Sequence, residues 1–431
     1  MNPFKERPLA VGCGLQSFCQ MYPKPYNKRE VDPYTKTRII LMSGTEFEAN
    51  WFSHQLARHT DDNDLRREIA LTRAEEKQQQ LKISLLKPAN ESVLEHTIGY
   101  EQLAVDLTAE LAKHESDCNV KKALDFALLE DFDHLYRYAD LLDMQEGVRA
   151  ENLVGKYTEI MPARPTIAHH RYPMDNVRTP ISGKSSSTRT VLNTMIITAA
   201  EQQTMNYYMN VTAFACSDIA RRLYQEIALV EEEHVTHYEA LMDPNSGWLE
   251  MLLWHEYCEC YLYWSCVKTE TDAYVRSIWE ECLNTEIAHL HKAAELLGKY
   301  EKKDFSEVIP DAEFPEPLSL HENIEYVRCV LANTVQYTTL YDNNYARIDQ
   351  LPESASFFRY QNTIHPSVDS TPSHNVIEQY LRRHRYDYRF EIAENPIPAL
   401  RNRREDNTSV GRVPNAAPEG EGFWCNGSKH N

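Results

Sequence analysis

The chain has 431 residues, and its 65 acidic residues outnumber its 45 basic residues, which gives a formal net charge of −20. That charge argues against nucleic acid and against an anionic membrane surface as partners. Residues 1–20 lack the apolar core of a signal peptide, and no apolar run approaches the length of a membrane helix, so we expect a cytoplasmic protein. The ten cysteines include no Cys-x-x-Cys pair, which excludes a zinc knuckle and a rubredoxin-type module and fits a reducing compartment.

The first third of the chain predicts an arm followed by four helices. The arm, residues 1–36, is rich in proline and tyrosine. Apolar residues then recur at spacings of three and four, which predicts helices at 39–58, 62–87, 91–115 and 119–144. Turn-forming residues at 61–64 and 88–90 separate the helices. We therefore predict a four-helix bundle over residues 37–144.

Residues 145–190 form a predicted linker between this bundle and a second one. The linker segment 165–173 contains too much proline for a helix and includes the cluster His169-His170-Arg171. We interpret the segment as a strap packed over the bundles, although the cluster has side chains that can bind an anion or a metal. Helical patterns follow at 191–215, 217–242, 246–269 and 272–298, and they predict a second bundle at 191–300.

Residues 301–431 form the predicted C-terminal region of helices and an extended tail. A proline-rich connector at 309–317 leads to an amphipathic helix at 321–340 and a short helix at 375–386. Residues 394–431 are polar and poor in apolar side chains, so we expect a wrapping or partly disordered arm. The whole pattern predicts an all-α protein with two tandem four-helix bundles and extended terminal segments.

Potential metal ligands recur at regular spacing along the second set of helices. They are Glu201, Glu231, His234, Glu256, Glu286 and His289. Glu-x-x-His occurs twice, and each copy follows an isolated glutamate by 30 residues. A Glu and a His three apart project from one face of a helix, so two helical hairpins can bring all six residues into one bundle core. A single Glu-x-x-His motif usually lies on a solvated helix face, whereas two copies in register favour a dinuclear metal site.

This pattern resembles the ferritin-like di-iron carboxylate superfamily, and within it rubrerythrin. The resemblance implies two iron ions, with manganese as the other candidate metal. It also implies that Glu201 and Glu256 are terminal ligands, one for each metal. Glu231 and Glu286 would bridge the two metals, and the two histidines would complete one metal each.

Two further residues match features of rubrerythrin and are candidate catalytic residues. Glu259 lies three residues after Glu256, where the resemblance implies an extra carboxylate that exchanges with a histidine as iron changes oxidation state. Tyr208 lies seven residues after Glu201, where relatives place a tyrosine beside the site. The residues alone leave two other roles open, an outer or solvated carboxylate for Glu259 and a packed core side chain for Tyr208. Other side chains within one turn of a ligand are Glu233, His237 and Cys260.

The same pattern occurs 155 residues earlier in the chain. The equivalent residues are Glu46, Glu76, Gln79, Glu101, Asp131 and His134. We interpret the chain as an internal duplication in which the bundle at 37–144 has a degraded metal site, because Gln79 replaces a histidine and Asp131 is shorter than glutamate. A slip of one residue leaves Glu75 with Gln78 as a rival for the pair Glu76 with Gln79.

The resemblance implies an oxidoreductase that reacts with peroxide or dioxygen, either as a rubrerythrin-like peroxidase or ferroxidase or as an oxidase or oxygenase of an organic substrate. Because the sequence has no rubredoxin-type cysteines, we expect an external electron donor. A manganese catalase, which shares the bundle and similar ligands, is the first alternative. A non-enzymatic iron-binding or scaffold protein is the second, and the pattern is compatible with a homodimer.

Overall fold

The structure is a computed structural model, and it describes residues 1–389. These residues are mainly helical, which confirms the predicted all-α class. In chain order the helices are α1 (Phe18–Met21), α2 (Pro33–Arg58), α3 (Asn63–Ser84), α4 (Val93–His114), α5 (Cys118–Glu146), α6 (Thr166–His169), α7 (Thr188–Phe214), α8 (Asp218–Glu239), α9 (Trp248–Thr269), α10 (Ala273–Tyr300), α11 (Phe305–Val308), α12 (Ile324–Thr334), α13 (Ser356–Ile364) and α14 (Pro372–His384). Strand β1 (Tyr337–Thr339) pairs antiparallel with β2 (Tyr345–Arg347). Within this part of the chain, no helix combines the length and the apolar character that a membrane crossing requires.

Side-chain caps fix where the long helices begin. The Asp32 carboxylate accepts hydrogen bonds from the backbone N–H groups of Tyr34 and Thr35, and Pro33 occupies the first turn of α2. Helix α2 therefore begins before the predicted residue 39, and the predicted arm at 1–36 is shorter than expected. Helices α3, α5, α8 and α10 are capped in the same way by Asp62, Asp117, Ser217 and Asp272.

The chain divides into two compact units, and each draws on separate stretches of sequence. The first unit comprises Met1–Glu91, Pro180–Gln203 and Met242–Ser319. Within it, α2 contacts α3 and α9, while α10 contacts α9 and α3. These four helices therefore enclose a common interior.

The second unit comprises Ser92–Thr179, Thr204–Leu241 and, among the described residues, 320–389. Here α5 contacts α4 and α8, while α12 and α14 pack against α5. A buried apolar cluster joins these helices to the second half of α7, and its members include Leu128, Phe132, Tyr208, Tyr224 and Val330.

The two units do not coincide with the predicted bundles at 37–144 and 191–300, because each unit takes helices from both halves of the chain. Short connections at 59–62, 115–117, 215–217 and 270–272 keep successive helices together as hairpins. Longer connections at 85–92 and 240–247, which contain Pro88 and Pro244, take the chain from one unit to the other. The predicted linker at 145–190 is likewise divided between the units after Thr179. Because repeated hairpins have equivalent apolar faces, periodicity alone could not decide which hairpins pair.

Smaller differences lie in the linker and the C-terminal region. The predicted helix at 321–340 ends at Thr334, and the β-rich sequence after it forms the β1–β2 hairpin. The strap at 165–173, predicted without a helix, contains the single-turn α6. Helix α14 matches the short helix predicted at 375–386, whereas α13 was not predicted. The arm predicted at 394–431 lies outside the described residues.

The pairing of α2 with α9 can be tested by a double-mutant cycle on Phe52 and Trp248. The two ring centroids are 5.6 Å apart, and the residues belong to different predicted halves of the chain. We expect the two alanine substitutions to be coupled by about 0.5–1.5 kcal/mol, as packed aromatic pairs are. Urea denaturation of the wild type, both single variants and the double variant measures this coupling.

The control cycle combines Phe52→Ala with Tyr274→Ala on α10, where the Tyr274 hydroxyl accepts a hydrogen bond from the Lys24 backbone N–H. That pair should be additive. If the effects of the Phe52 and Trp248 substitutions were also additive, that result would contradict the observed grouping of helices.

Candidate metal centres

The interior of the first unit holds a cluster of potential metal ligands contributed by all four of its long helices. The side chains are Glu46 from α2, Glu76 and Gln79 from α3, Glu256 and Glu259 from α9, and Glu286 and His289 from α10. All of them are buried. On α3, α9 and α10 the two members are three residues apart, so each pair projects from one face of its helix toward the shared interior.

The ligand atoms of this cluster form two overlapping groups. In one, potential ligand atoms of Glu76, Glu256 and His289 all lie within 4.8 Å of one another, and in the other those of Glu256, Glu259 and Glu286 do so. The Nδ1 atom of His289 lies 3.3 Å from Glu286 Oε2 and 3.8 Å from Glu256 Oε2. Two adjacent groups that share one carboxylate have the form of a dinuclear site.

The cluster has a large excess of negative charge over positive charge. Burial, reinforced by neighbouring carboxylates, raises the pKa values of Glu46, Glu256 and Glu259 well above their ordinary range. Burial also raises the pKa of Glu76 to about 7, although the charge of His289 opposes the shift. Carboxylate oxygens without a hydrogen-bond partner among the described residues are Glu46 Oε2, Glu76 Oε2, Glu256 Oε2 and both oxygens of Glu259. Unpartnered buried oxygens that face one another are the donor set that a hard cation requires.

Gln79, which the sequence pattern placed at a ligand position, donates hydrogen bonds instead. Its Nε2 lies 3.2 Å from Glu46 Oε1 and also donates to Glu286 Oε1. The amide thus holds two of the carboxylates in place. The sequence pattern places a histidine where this cluster has Gln79. The cluster contains the carboxylate of Glu259 in addition.

Glu75 lies behind the cluster and fixes the orientation of His289. Its Oε2 accepts a hydrogen bond from His289 Nε2 at 3.2 Å, which turns the Nδ1 atom toward the cluster. The backbone N–H groups of Gly12 and Gly14 also donate to Glu75, at 2.9 and 2.5 Å. Although burial opposes it, these hydrogen bonds lower the pKa of Glu75 and keep it charged.

The second unit holds a separate cluster. Its members are Glu101 from α4, Asp131 and His134 from α5, and Glu231 and His234 from α8, all of them buried. His134 Nδ1 lies 3.0 Å from Glu231 Oε1, and His234 Nδ1 lies 3.1 Å from Asp131 Oδ1. The two histidines lower the pKa of Glu231 to about 2, although its burial acts in the opposite direction.

Glu130 contacts a histidine of the second cluster in the way that Glu75 contacts His289 in the first. It directly precedes Asp131, and its Oε2 lies 2.7 Å from His234 Nε2, so that Nδ1 of this histidine faces the cluster. Two buried arginines, Arg164 and Arg171, donate to the other oxygen of Glu130. They lower the pKa of Glu130 well below its usual range, although its burial acts in the opposite direction.

Each cluster is also accompanied by a buried tyrosine. The Tyr208 hydroxyl donates to Glu101 Oε1 at 2.5 Å in the second unit, and the Tyr263 hydroxyl donates to Glu46 Oε1 in the first. Tyr263 was missed in the sequence, although it lies seven residues after Glu256, as Tyr208 lies seven residues after Glu201.

The six ligands predicted from sequence do not form one site. Glu256, Glu286 and His289 lie in the cluster of the first unit, whereas Glu231 and His234 lie in that of the second. The expectation of one complete and one degraded metal site stays a prediction, although each unit contains potential ligands from both copies of the repeat. Glu201 is buried on α7, and its role as a ligand stays a prediction.

Glu233, His237 and Cys260, which the sequence places within one turn of a predicted ligand, have environments that differ from one another. Glu233 Oε2 accepts a hydrogen bond from the Arg171 backbone N–H at 2.9 Å, on the strap rather than in the cluster. Burial and nearby arginines lower the pKa of His237 well below its ordinary value, so it is neutral. Burial raises the pKa of the Cys260 thiol well above its usual range, which keeps it protonated.

Comparisons of the chain with models of known families, with curated proteins and with solved structures found no match. The chemistry of the two clusters is therefore inferred from their own side chains.

The grouping of ligands predicts which substitutions remove the same metal ions. Glu76 and Glu286 come from different copies of the repeat but share one cluster, so Glu76→Ala should lower Fe²⁺ binding as much as Glu286→Ala. The double variant should lose little more than either single one, because both changes empty the same site. Fe²⁺ bound per chain, measured after anaerobic loading and desalting, tests this.

Glu231→Ala is the matched control, since Glu231 lies in the other unit. Its loss should add to that of Glu76→Ala. Unchanged binding in Glu76→Ala would instead support the grouping expected from sequence.

The pKa of Glu76 predicts how the stability of the metal-free chain depends on pH. In the folded chain this pKa is about 7, against an ordinary value of 4.5, so the folded state holds a proton that the unfolded state has lost. The resulting stabilisation is complete below about pH 4.5 and is lost as the pH rises through about 7. We therefore expect the free energy of unfolding to fall between about pH 4.5 and about pH 7, and to fall less in Glu76→Gln.

Urea denaturation of metal-free wild type and Glu76→Gln at several pH values measures this dependence. Equal pH dependence in the two proteins would show that Glu76 does not titrate in this range.

Proposed function

We propose that the chain is a ferritin-like carboxylate protein whose first unit is a four-helix bundle with a dinuclear iron centre, and that this centre reduces peroxide as rubrerythrin-like proteins do. The observation that supports this most directly is the buried set of five glutamates and one histidine from four helices. The ligands would be Glu46, Glu76, Glu256, Glu259, Glu286 and His289. A related centre in the second unit would use Glu101, Asp131, His134, Glu231 and His234.

The charge and chemistry of the first set fit two divalent cations. Five carboxylates carry a formal charge close to that of two such cations, and their oxygens with one imidazole nitrogen suit iron or manganese. The unpartnered oxygens of Glu46, Glu76, Glu256 and Glu259 support the fit, because a buried carboxylate without a partner is costly. Bound iron would supply the one-electron chemistry that carboxylates and imidazoles lack.

The surrounding side chains would keep the ligands oriented and exclude water. Gln79 donates to Glu46 and Glu286, and Tyr263 donates to the same oxygen of Glu46 as Gln79 does. Burial raises the pKa of Tyr263 well above its usual range, so this phenol stays a neutral donor. Glu75 fixes His289 from behind. These contacts leave Glu259, with both oxygens unpartnered, as the carboxylate that is free to change its position.

The proposed reaction is the reduction of hydrogen peroxide to two molecules of water. It consumes two electrons and two protons, and iron held by these residues would supply the electrons. The iron would then be reduced again by an external donor, because the sequence contains no four-cysteine electron-transfer module. Glu259 has the position of the extra carboxylate of rubrerythrin, whose ligation changes with the oxidation state.

The role of Glu259 can be measured by stopped-flow oxidation of the anaerobic diferrous protein. We expect hydrogen peroxide to react faster than dioxygen with the wild type. Glu259→Gln should retain iron but slow the peroxide reaction about tenfold or more, which corresponds to ~1.4 kcal/mol of barrier. Glu280→Gln, an exposed change on α10, is the control and should behave as the wild type does.

Other outcomes point to the other functions. Faster oxidation by dioxygen would favour an oxidase or oxygenase. Rapid release of dioxygen from peroxide by manganese-loaded protein would favour a catalase, and slow oxidation by both oxidants would favour iron binding without catalysis.

A further inference from the structure

A third cluster of potential ligands lies in the second unit, apart from the carboxylate centres. It consists of His170, which follows α6, Glu226 on α8, and His365, which follows α13. The side chains are 2%, 4% and 2% exposed, and one potential ligand atom from each lies within 4.8 Å of the others. His170 belongs to the His169-His170-Arg171 motif of the strap, for which the sequence left a metal-binding role open.

The two imidazoles approach the same carboxylate oxygen. His170 Nε2 lies 3.9 Å from Glu226 Oε1, and His365 Nε2 lies 3.7 Å from it. Both distances exceed a hydrogen bond, and His170 Nε2 is buried without a hydrogen-bond partner among the described residues. Two nitrogens and one oxygen separated in this way can surround a cation at bond lengths of about 2.0–2.2 Å.

The opposite nitrogen of each imidazole is held by a neighbouring side chain. His170 Nδ1 lies 3.4 Å from Glu233 Oε1, and His365 Nδ1 lies 3.1 Å from the Thr371 hydroxyl oxygen. Contacts at Nδ1 orient the two rings so that Nε2 faces the common centre. Metal-bound histidines in proteins commonly have such a partner on the nitrogen that does not bind the metal.

Glu226 is fixed in a similar way. The Ser373 backbone N–H donates to Glu226 Oε2 at 2.8 Å, and the Ser373 hydroxyl donates to Oε1 at 3.4 Å. The carboxylate at the centre of the cluster excludes an anion as the ligand. Two imidazoles and one carboxylate are a ligand set that zinc prefers.

We propose that His170, Glu226 and His365 form a mononuclear zinc site that joins the strap and the α13–α14 connection to α8. The three ligands come from stretches of chain that are far apart in sequence, so one ion would tie three elements of the second unit together. Because all three are buried, the site stabilises the C-terminal part of this unit rather than presenting a metal to solvent. It is independent of the proposed dinuclear centres and of their activity.

The test combines zinc content with amide hydrogen exchange in the full chain. Metal-free wild type, Glu226→Gln and His365→Gln are each titrated with Zn²⁺ against a chromophoric chelator. We expect the wild type to bind one more zinc ion per chain than either variant. We also expect Zn²⁺ to slow amide exchange in residues 361–374 of the wild type but not of the variants.

Glu232→Gln removes the same charge from an exposed position on α8 and should leave both measurements unchanged. The exchange measurement separates this site from the carboxylate centres, which do not include residues 361–374. If circular dichroism shows that one variant fails to fold, the other variant is compared with the wild type instead. Equal zinc content and equal protection in the wild type and a folded variant would overturn the proposal.

Discussion

The burial of carboxylates away from positive charge is the constraint on which the first unit depends. Helices α2, α3, α9 and α10 bring five glutamates together with the imidazole of His289. Removing a carboxylate from water costs several kcal/mol unless the group is protonated or paired. The raised pKa values of Glu46, Glu76, Glu256 and Glu259 are the response of the metal-free chain to that cost. Divalent cations would remove it more completely, because they neutralise the charges and bind the unpartnered oxygens.

A second layer of contacts gives the centres their orientation. Glu75 and Glu130 each directly precede a carboxylate of a cluster, and each binds the Nε2 atom of the histidine on the facing helix. The N-terminal segment is built around Glu75, since Gly12 has a φ of +97° and a Cβ at Gly14 would lie 2.6 Å from Glu75 Oε1. A residue other than glycine at either position would displace the segment or the Glu75 carboxylate. A shift of that carboxylate would also change the orientation of His289, which is hydrogen-bonded to it.

The sequence predicted the helices and the types of side chain that line the clusters, because both depend on local periodicity. It could not predict which hairpins share an interior, because the two copies of the repeat have equivalent faces and the longer connections permit either pairing. Tyr263 could have been predicted from its spacing of seven residues after Glu256, and Glu75 from the alternative alignment of α3. Glu130 had none, since its partners Arg164, Arg171 and His234 meet it only in the folded chain.

The two clusters differ in their electrostatics although the positions of their residues repeat in the sequence at an interval of 155. Where the first unit has Gln79 and Glu259, the repeat places His234 and Ala104 in the second. The second cluster has three carboxylates and two imidazoles, against five and one in the first, and its histidines lower the pKa of Glu231 although burial opposes the shift. The two imidazoles of this cluster offset more of its negative charge than the single imidazole of the first cluster does. Glu259 and His234, which the repeat aligns with Ala104 and Gln79, contribute to this difference.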